Sequence, residues 1–295
     1  MTAKSHMPLW RRMFRKLPTG IRHRILFSGD FAEKMLEFIR CQKPVSAFMK
    51  PGYTPDSSKI VLDITFDCNL GCAGCHKSCN LIHTKDMLSV EQVKKFVHES
   101  IEQNRRWTRI LISGGEPTLH PGLFEIIDEL LNYQRDHSQK TVLELNTNGF
   151  GNRVNSVLSR MPSEIKINNS KKINPNKVKH SRFHDAPIDN LAYKFADFSN
   201  ACWICANCGI ALTKYGYYPC CVAASIDRVF GFDTGIKKLP AADYNMRKML
   251  SRLCGYCGHF MRFNEVLKTD PNTVSSTWKK SIEEYKKRKP SLSLY

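Results

Sequence analysis

The sequence contains no long hydrophobic run. No stretch among its 295 residues approaches the ~20 consecutive apolar residues of a membrane-spanning helix, so no such helix is expected. The apolar residues near the N-terminus are interrupted by arginines every few positions, and we therefore do not expect a signal peptide. These two absences predict a cytoplasmic protein.

Acidic side chains are also in short supply. The sequence has 27 Asp and Glu against 45 Lys and Arg, which gives a formal net charge of +18, and its first acidic residue is Asp30. Such a charge favours an anionic partner, whether an acidic peptide, a nucleotide, a nucleic acid or a membrane surface. Residues 9–17 combine an apolar helical face with a basic one. This pattern predicts an amphipathic helix that either lies on an anionic membrane or packs on the protein itself.

Two kinds of functional signal are missing. We find no recognition helix and no RNA-binding motif, so a nucleic-acid partner is unlikely from the sequence. We also find no candidate general base. A non-catalytic metal or iron–sulfur protein that binds nucleic acid through its basic surface stays open as an alternative, and it predicts salt-sensitive binding.

Cysteine, by contrast, is abundant, with 12 residues. Without a signal peptide, cysteines grouped as C-x2-C pairs indicate metal sites in a reducing compartment rather than disulfides. The first group, Cys68, Cys72 and Cys75, has the spacing C-x3-C-x2-C and follows an alternating apolar run over residues 60–66 that predicts a strand. Three thiolates can bind three irons of a [4Fe–4S] cluster and leave the fourth iron open to a ligand.

Strands and helices alternate after this point. Ser89 and Gln92 form a capping-box pattern that predicts the start of the first helix. The alternation predicts a parallel sheet whose ligands bind at the carboxyl ends of its strands. The predicted strands cover residues 60–66, 109–113, 142–145 and 164–168.

Two short motifs follow the second and third predicted strands. They are Gly114-Gly115-Glu116-Pro117 and Asn146-Thr147-Asn148-Gly149. With the cysteine motif, and in this order, they resemble the radical S-adenosylmethionine (SAM) enzymes over roughly residues 58–170, with a weaker extension to about residue 260. The resemblance implies an α/β fold: a partial (β/α) TIM-like barrel of about six units or fewer, followed by a small cysteine-rich C-terminal module.

The resemblance also implies a chemistry and a set of site residues. A [4Fe–4S] cluster on the three cysteines would reductively cleave SAM to a 5′-deoxyadenosyl radical, which abstracts a hydrogen atom from the substrate. Gly74 stands where the family often has an aromatic residue, so the adenine contact is expected elsewhere. Cys79 is either a plain buried thiol or a hydrogen-atom donor. The implied SAM-binding residues are Gly114, Gly115, Glu116, Asn146 and Asn148.

The later cysteines resemble the SPASM/twitch domains that hold an auxiliary cluster. Four cysteines that flank a glycine-containing hairpin fit this pattern and are the expected ligands of a second [4Fe–4S] cluster, although four sulfur ligands can equally bind zinc. Cys202 or Cys205 can replace the first of the four, and Cys221 can replace the second. The four expected ligands are Cys208, Cys220, Cys254 and Cys257.

The predicted organisation has four parts. They are a basic helical extension (1–57), the radical SAM partial barrel (58–198), the auxiliary module (199–262) and a C-terminal helix with a basic tail (263–295). The expected substrate is a peptide or an anionic small molecule that undergoes dehydrogenation, cross-linking or epimerisation, and the expected electron donor is a flavodoxin or ferredoxin. An activating enzyme that installs a radical on a partner protein is a further alternative.

Overall fold

The computed structural model of the protein describes residues 32–172, 182–261 and 273–295. The amphipathic helix predicted over residues 9–17 lies outside the described residues. Within the described ranges, no helix has the length and apolarity needed to cross a membrane.

The core of the fold is one open sheet of six strands. Its spatial order is β4-β3-β2-β1-β5-β6; the first five strands in this order are parallel, and the last pair is an antiparallel hairpin. The four predicted strands are therefore present, and they are parallel as expected. The strands are β1 (Lys59–Thr65), β2 (Arg109–Gly114), β3 (Val142–Thr147), β4 (Lys166–Asn169), β5 (Ile210–Thr213) and β6 (Gly216–Tyr218).

Nine α-helices are assigned in the described ranges. The capping box at Ser89 and Gln92 is present, with both reciprocal hydrogen bonds made. The helices are α1 (residues 32–40), α2 (Lys43–Ser46), α3 (Val90–Glu102), α4 (Leu123–His137), α5 (Asn152–Leu158), α6 (Trp203–Cys208), α7 (Cys221–Phe230), α8 (Arg247–Leu253) and α9 (Ser276–Lys287).

The two faces of the sheet are covered differently. Side chains alternate along each strand, so Ile60 and Leu62 point to one face and Val61 to the other. The first face, which we term the helix face, packs against apolar residues of α3 and α4. The second, which we term the module face, packs against α7 and the later cysteines. The later cysteines therefore lie over β1, on the module face of the sheet.

The barrel is short and open. The predicted radical SAM region ends near residue 198, and between residues 182 and 201 the structure has three single-turn 3-10 helices, Pro187–Asp189, Leu191–Tyr193 and Phe198–Asn200. β5 pairs with β1 on the side opposite β2, so the hairpin of the predicted module extends the same sheet. The result is a partial barrel within the predicted limit of six units.

Candidate active site

The three cysteines of the first group lie in the loop that follows β1, at the carboxyl end of the sheet. Cys68, Cys72 and Cys75 line one cavity of about 590 Å³. The same cavity is lined by Gly114 and Gly115 at the end of β2. Other lining residues come from the ends of β3 and β4, namely Asn146, Thr147, Asn148, Asn168 and Asn169. The three sequence motifs thus meet around one space, at the edge where parallel sheets bind ligands.

The contact between β2 and the cysteine loop is close enough to require glycine. A Cβ atom on Gly115 would lie 2.2 Å from the Asp67 carbonyl oxygen and 3.0 Å from Cys68 Cβ. The backbone N–H groups of Gly115 and Glu116 donate to the carbonyl oxygens of Thr65 (2.7 Å) and Asp67 (2.8 Å). The end of β2 therefore holds the start of the cysteine loop by backbone hydrogen bonds.

Glu116 is fully buried and does not line the cavity. Its Oε1 accepts hydrogen bonds from Thr118 and from Thr147 Oγ1 (2.9 Å), and its Oε2 accepts one from the Asn148 N–H (2.8 Å). The carboxylate thus ties the end of β2 to the end of β3. Glu116, a predicted SAM-binding residue, therefore contacts Thr118 and the third motif and has no place on the cavity wall.

The two asparagines of the third motif differ. The Asn148 amide is already bonded, donating to Asn69 Oδ1 (2.8 Å) and accepting from the Phe150 N–H (2.7 Å). The Asn146 side chain lines the cavity and has no hydrogen-bond partner among the described residues. Asn146 is therefore the one of the pair whose side-chain amide is available to a ligand.

Cys79 lies behind the cysteine loop. It is 1% exposed, its thiol lies 3.3 Å from the Phe66 carbonyl oxygen, and it does not line the cavity. A hydrogen bond from Cys79 lowers the pKa of Cys75 to about 6, which favours the thiolate form that iron requires. The structure does not bring Cys79 to the cavity wall, where a hydrogen-atom donor must lie.

A buried ion pair supports the same loop. Lys77 Nζ donates to both carboxylate oxygens of Asp63, on the module face of β1. Burial alone would lower the pKa of Lys77, but the Asp63 carboxylate raises it, so the ammonium stays charged. Lys172 supplies a second cation, with Nζ 3.6 Å from Cys72 Sγ. No pattern in the sequence indicates these three residues, because their partners are distant in sequence.

His184 supports the loop from further along the chain. Its Nε2 lies 3.1 Å from Ser78 Oγ, and its ring packs edge-on against Trp278. Burial, reinforced by His259, lowers the pKa of His184 to about 3, so the ring is neutral at physiological pH. No local pattern in the sequence predicts this contact.

A second, smaller cavity lies on the module face. Its walls are otherwise apolar, with side chains from α7 and α8. Burial raises the pKa values of the cysteine thiols that line this cavity. The pKa values of Cys202, Cys220 and Cys254 are raised well above the ordinary range. Five cysteines line this cavity: Cys202, Cys205, Cys220, Cys254 and Cys257.

Cys208 and Cys221 are not on the walls of this cavity. The neighbouring Cys221 thiol lowers the pKa of Cys208. The structure therefore brings Cys220, Cys254 and Cys257 of the expected ligand set together. It places Cys202 and Cys205, rather than Cys208, beside them.

The cysteines on the two cavities can supply the ligands of iron–sulfur clusters. No three Cys, His, Asp or Glu side chains in residues 32–172, 182–261 and 273–295 converge as a single ion requires. Each thiolate of a [4Fe–4S] cluster binds a different iron, so its ligands need not converge on one point. Three cysteines on the first cavity and five on the second supply enough sulfur for one cluster each.

Comparisons with known proteins agree with this geometry. Residues 62–167 match the family model described as "Radical SAM superfamily". The probable GTP 3′,8-cyclase of Methanococcus maripaludis strain C5 is 36% identical over 102 residues, which are 35% of this chain and 32% of that protein. The GTP 3′,8-cyclase of Helicobacter pylori strain HPAG1 is 30% identical over 109 residues, which are 36% of this chain and 30% of that protein. The chain thus spans about a third of the length of the curated relatives it matches.

One solved structure also aligns with this chain, at low sequence identity and a low TM-score. The crystal structure of BtrN in complex with AdoMet and 2-DOIA aligns with 68% of this chain and 92% of its own, at 13% identity and a TM-score of 0.40. The family model covers the three-cysteine loop, all of β2 and β3, the second part of β1 and the first half of β4. Members of that family use a [4Fe–4S] cluster and SAM, which confirms these two predicted cofactors. Residues 62–167 of this chain therefore match the radical SAM family, and the chain is similar to its members over that range.

Proposed function

We propose that this protein is a radical SAM enzyme that cleaves SAM reductively and abstracts a hydrogen atom from an anionic small molecule. The observation that carries the proposal is the shared cavity: three cysteines and the glycines and asparagines of the other two motifs line one space. When bound, the cluster and SAM supply the 5′-deoxyadenosyl radical. The chain supplies the ligands, the orientation of SAM and the exclusion of water.

Each group on the cavity wall has a role in this proposal. Cys68, Cys72 and Cys75 hold the cluster. The backbone at Gly114 and Gly115 approaches closely enough to accept hydrogen bonds from the amino group of SAM, because no side chain intervenes. Asn146 offers the free amide of the third motif for the ribose or the carboxylate.

The charge of the cavity favours an anionic substrate over a peptide of mixed charge. Lys172 lines it as a cation, the Lys77 ammonium on its wall is neutralised by the Asp63 carboxylate, and none of its described lining residues is Asp or Glu. The cavity volume of about 590 Å³ lies within the usual range for small-molecule sites. The relatives' name, GTP 3′,8-cyclase, identifies GTP as one anionic compound to try first.

We further propose that the five-cysteine cavity holds a second [4Fe–4S] cluster and that its ligands are drawn from the cysteines on its walls. Such a cluster can accept the electron left on an oxidised substrate. This favours the oxidoreductase class. We propose a flavodoxin- or ferredoxin-type reductant as the electron donor.

The test is SAM cleavage by anaerobically reconstituted protein with dithionite. Wild type is expected to form 5′-deoxyadenosine, and Cys72→Ala is expected to lose this activity. Cys41→Ala is the matched control: Cys41 is also buried, but it lines neither cysteine cavity, and its thiol donates to the Phe38 carbonyl oxygen. Product formation that survives Cys72→Ala would contradict the proposal.

The substrate class is tested in the same assay. GTP, other nucleotides and sugar phosphates are added singly, and a matching compound is expected to accelerate 5′-deoxyadenosine formation and to be consumed. Acceleration by a peptide, with no response to any anionic small molecule, would contradict this part of the proposal.

A further inference from the structure

Helix α7 separates the two cysteine cavities. One side of the helix, with Val222, Ala223 and Ile226, lines the five-cysteine cavity. Every residue from Cys221 to Val229 is buried. The helix therefore has no solvent-exposed face along this stretch, and its remaining side must pack on something else.

That remaining side packs on the three-cysteine loop. Cys221, Ser225 and Arg228 are spaced i, i+4 and i+7, which places them along one face of a helix. Ser225 Oγ donates to Ser78 Oγ (3.2 Å), and Arg228 Nη2 donates to the Lys77 carbonyl oxygen (2.8 Å). Lys77 and Ser78 lie two and three residues after Cys75, the last proposed ligand at the first cavity.

The contacted part of the loop has an unfavourable backbone conformation. Ser78 has a φ of 54°, in the left-handed region that non-glycine residues rarely adopt. Such a conformation persists when its surroundings hold it, and here Ser225 and His184 both contact the Ser78 hydroxyl. The backbone beyond Cys75 therefore depends on α7.

Arg228 is fixed on both sides. Its guanidinium lies over the Phe66 ring, 4.3 Å from the centroid, and it also contacts Thr84 Oγ1 (3.4 Å). Phe66 immediately follows β1 and Lys77 lies late in the loop. Arg228 thus contacts both ends of the segment that carries the three cysteines.

The start of α7 belongs to the other cavity. Cys220 is the residue that caps the helix, and its Sγ accepts a hydrogen bond from the Ala223 N–H (3.4 Å). Cys220 also lines the five-cysteine cavity. A cluster bound there would fix the beginning of the helix whose side holds the first loop.

We propose that α7 couples the two cysteine sites, and that Arg228 and Ser225 are positioning residues for the SAM-binding cluster. Occupation of the five-cysteine cavity holds α7 in place. α7 in turn holds Lys77 and Ser78, and through them Cys75. The inference rests on the proposed function, and because coupling between sites is reciprocal, loading of the first site also favours loading of the second.

The experiment compares Arg228→Gln with wild type, both reconstituted with iron and sulfide. The readouts are the dissociation constant for SAM and the change that SAM causes in the EPR spectrum of the reduced protein. SAM alters only the cluster it binds, so this change reports on the first site in the presence of the second. We expect iron to be retained, SAM binding to weaken by about tenfold, and the SAM-dependent spectrum to change.

Arg252→Gln is the matched control. Arg252 also stacks on a phenylalanine, with its guanidinium 4.5 Å from the centroid of Phe232, but it lies on α8. It is expected to behave as wild type in both readouts. Arg228→Lys keeps the charge and one donor, and it is expected to restore part of the lost affinity. Ser225→Ala removes a single hydroxyl group and is expected to shift both readouts in the same direction as Arg228→Gln.

Coupling is tested by removing the second cluster. The double substitution Cys254→Ala and Cys257→Ala is expected to weaken SAM binding by a factor similar to that of Arg228→Gln. Combining all three substitutions is expected to add little, because both changes act through α7.

Two results would overturn the inference. In the first, Arg228→Gln and Ser225→Ala are indistinguishable from Arg252→Gln in both readouts. In the second, the effects of the separate substitutions on SAM affinity multiply in full in the combined variant. Either result would leave the proposed function intact, since wild type would still cleave SAM. Absence of SAM cleavage in wild type would overturn both proposals.

Discussion

Gly115 packs against the cysteine loop with no space for a side chain. A methyl group on its Cα would lie 2.2 Å from the Asp67 carbonyl oxygen, so Gly115→Ala must displace the loop or the end of β2. We expect a loss of about 1–3 kcal/mol in the free energy of unfolding, the usual range for overpacking. We also expect fewer irons bound at the first site. Urea unfolding and iron analysis after reconstitution measure the two effects.

Gly71 provides the control, because it lies inside the same loop and has no atom within 4 Å of the position of an added Cβ. Gly71→Ala is expected to keep the iron content and the stability of wild type. Equal behaviour of the two alanine variants would show that the close approach at Gly115 does not support the site.

Glu116 acts on the cavity without lining it. Glu116→Gln replaces one acceptor oxygen with an NH2 group, which then faces either the Asn148 N–H or the hydroxyl of Thr147. A buried donor left without an acceptor costs about 1–3 kcal/mol of stability. Because the Asn148 loop loses its anchor, SAM binding is expected to weaken by about tenfold, as measured by equilibrium dialysis. Glu164→Gln, at an exposed position, is the control, and a Glu116→Gln protein with unchanged stability and SAM affinity would refute this role.

His184 gives the stability of the protein a defined pH dependence. Its pKa is lowered to about 3 in the folded protein, against about 6.5 in the unfolded chain. Between these values the unfolded state binds more protons, so the stabilisation is complete above pH 6.5 and is lost as the pH falls. About 2 kcal/mol should be lost at pH 5 through this group. His184→Asn is expected to flatten the pH dependence of urea unfolding between pH 8 and 5, and an unchanged slope would contradict this explanation.

At the scale of single elements, the C-terminal tail is anchored by its last residue. The Tyr295 hydroxyl donates to the buried carboxylate of Glu99 (2.8 Å) and lies 3.0 Å from the Tyr217 hydroxyl. Tyr217 belongs to β6, and Glu99 belongs to α3. This cluster therefore connects the edge hairpin, a helix of the helix face and the tail.

Tyr295→Phe is expected to lower the free energy of unfolding by about 1–3 kcal/mol, because it removes a hydrogen bond to a buried charged group. Chemical denaturation measures the change. Tyr244→Phe, at a position that is 54% exposed, is expected to have no effect. A Tyr295→Phe protein as stable as wild type would show that the tail is not held by this hydroxyl group.

Sequence patterns predict some of the helices and strands, but they do not predict how all of these elements pack. β1 to β4 and the start of α3 are predicted because apolar periodicity and a capping box mark them in the sequence. The pairing of β5 with β1 is not predicted, since short strands after a long irregular region carry no signal of their neighbour. The role of α7 is likewise hidden, because its residues are buried all round and its contacts involve residues about 150 positions earlier.

The spacing of the later cysteines likewise does not predict which of them line the second cavity. Cys202, Cys205 and Cys208 are spaced by three, and each step turns about 60° around a helix axis, so they cannot all face one point. Cys220 and Cys221 are adjacent, and neighbouring residues at a helix start point to different sides. Composition and spacing identify the group, but only the packing of α6 and α7 on the sheet selects which cysteines face the cavity.

At the scale of the whole molecule, the structure has two cysteine cavities on one open sheet. The first lies at the carboxyl ends of β1 to β4, and the second lies on the module face next to β1 and β5. The sequence predicts both groups, because metal ligands keep short spacings whatever the surrounding fold. The domain boundaries and the cytoplasmic location stay predictions.

Iron analysis tests the proposal that each cavity holds one [4Fe–4S] cluster. Wild type, Cys72→Ala and Cys254→Ala are reconstituted anaerobically, desalted, and assayed for iron, sulfide and zinc per chain. We expect about eight irons in wild type and about four in each variant, since each cluster holds four irons. Zinc in place of iron, or a wild-type iron content that neither substitution lowers, would contradict this proposal.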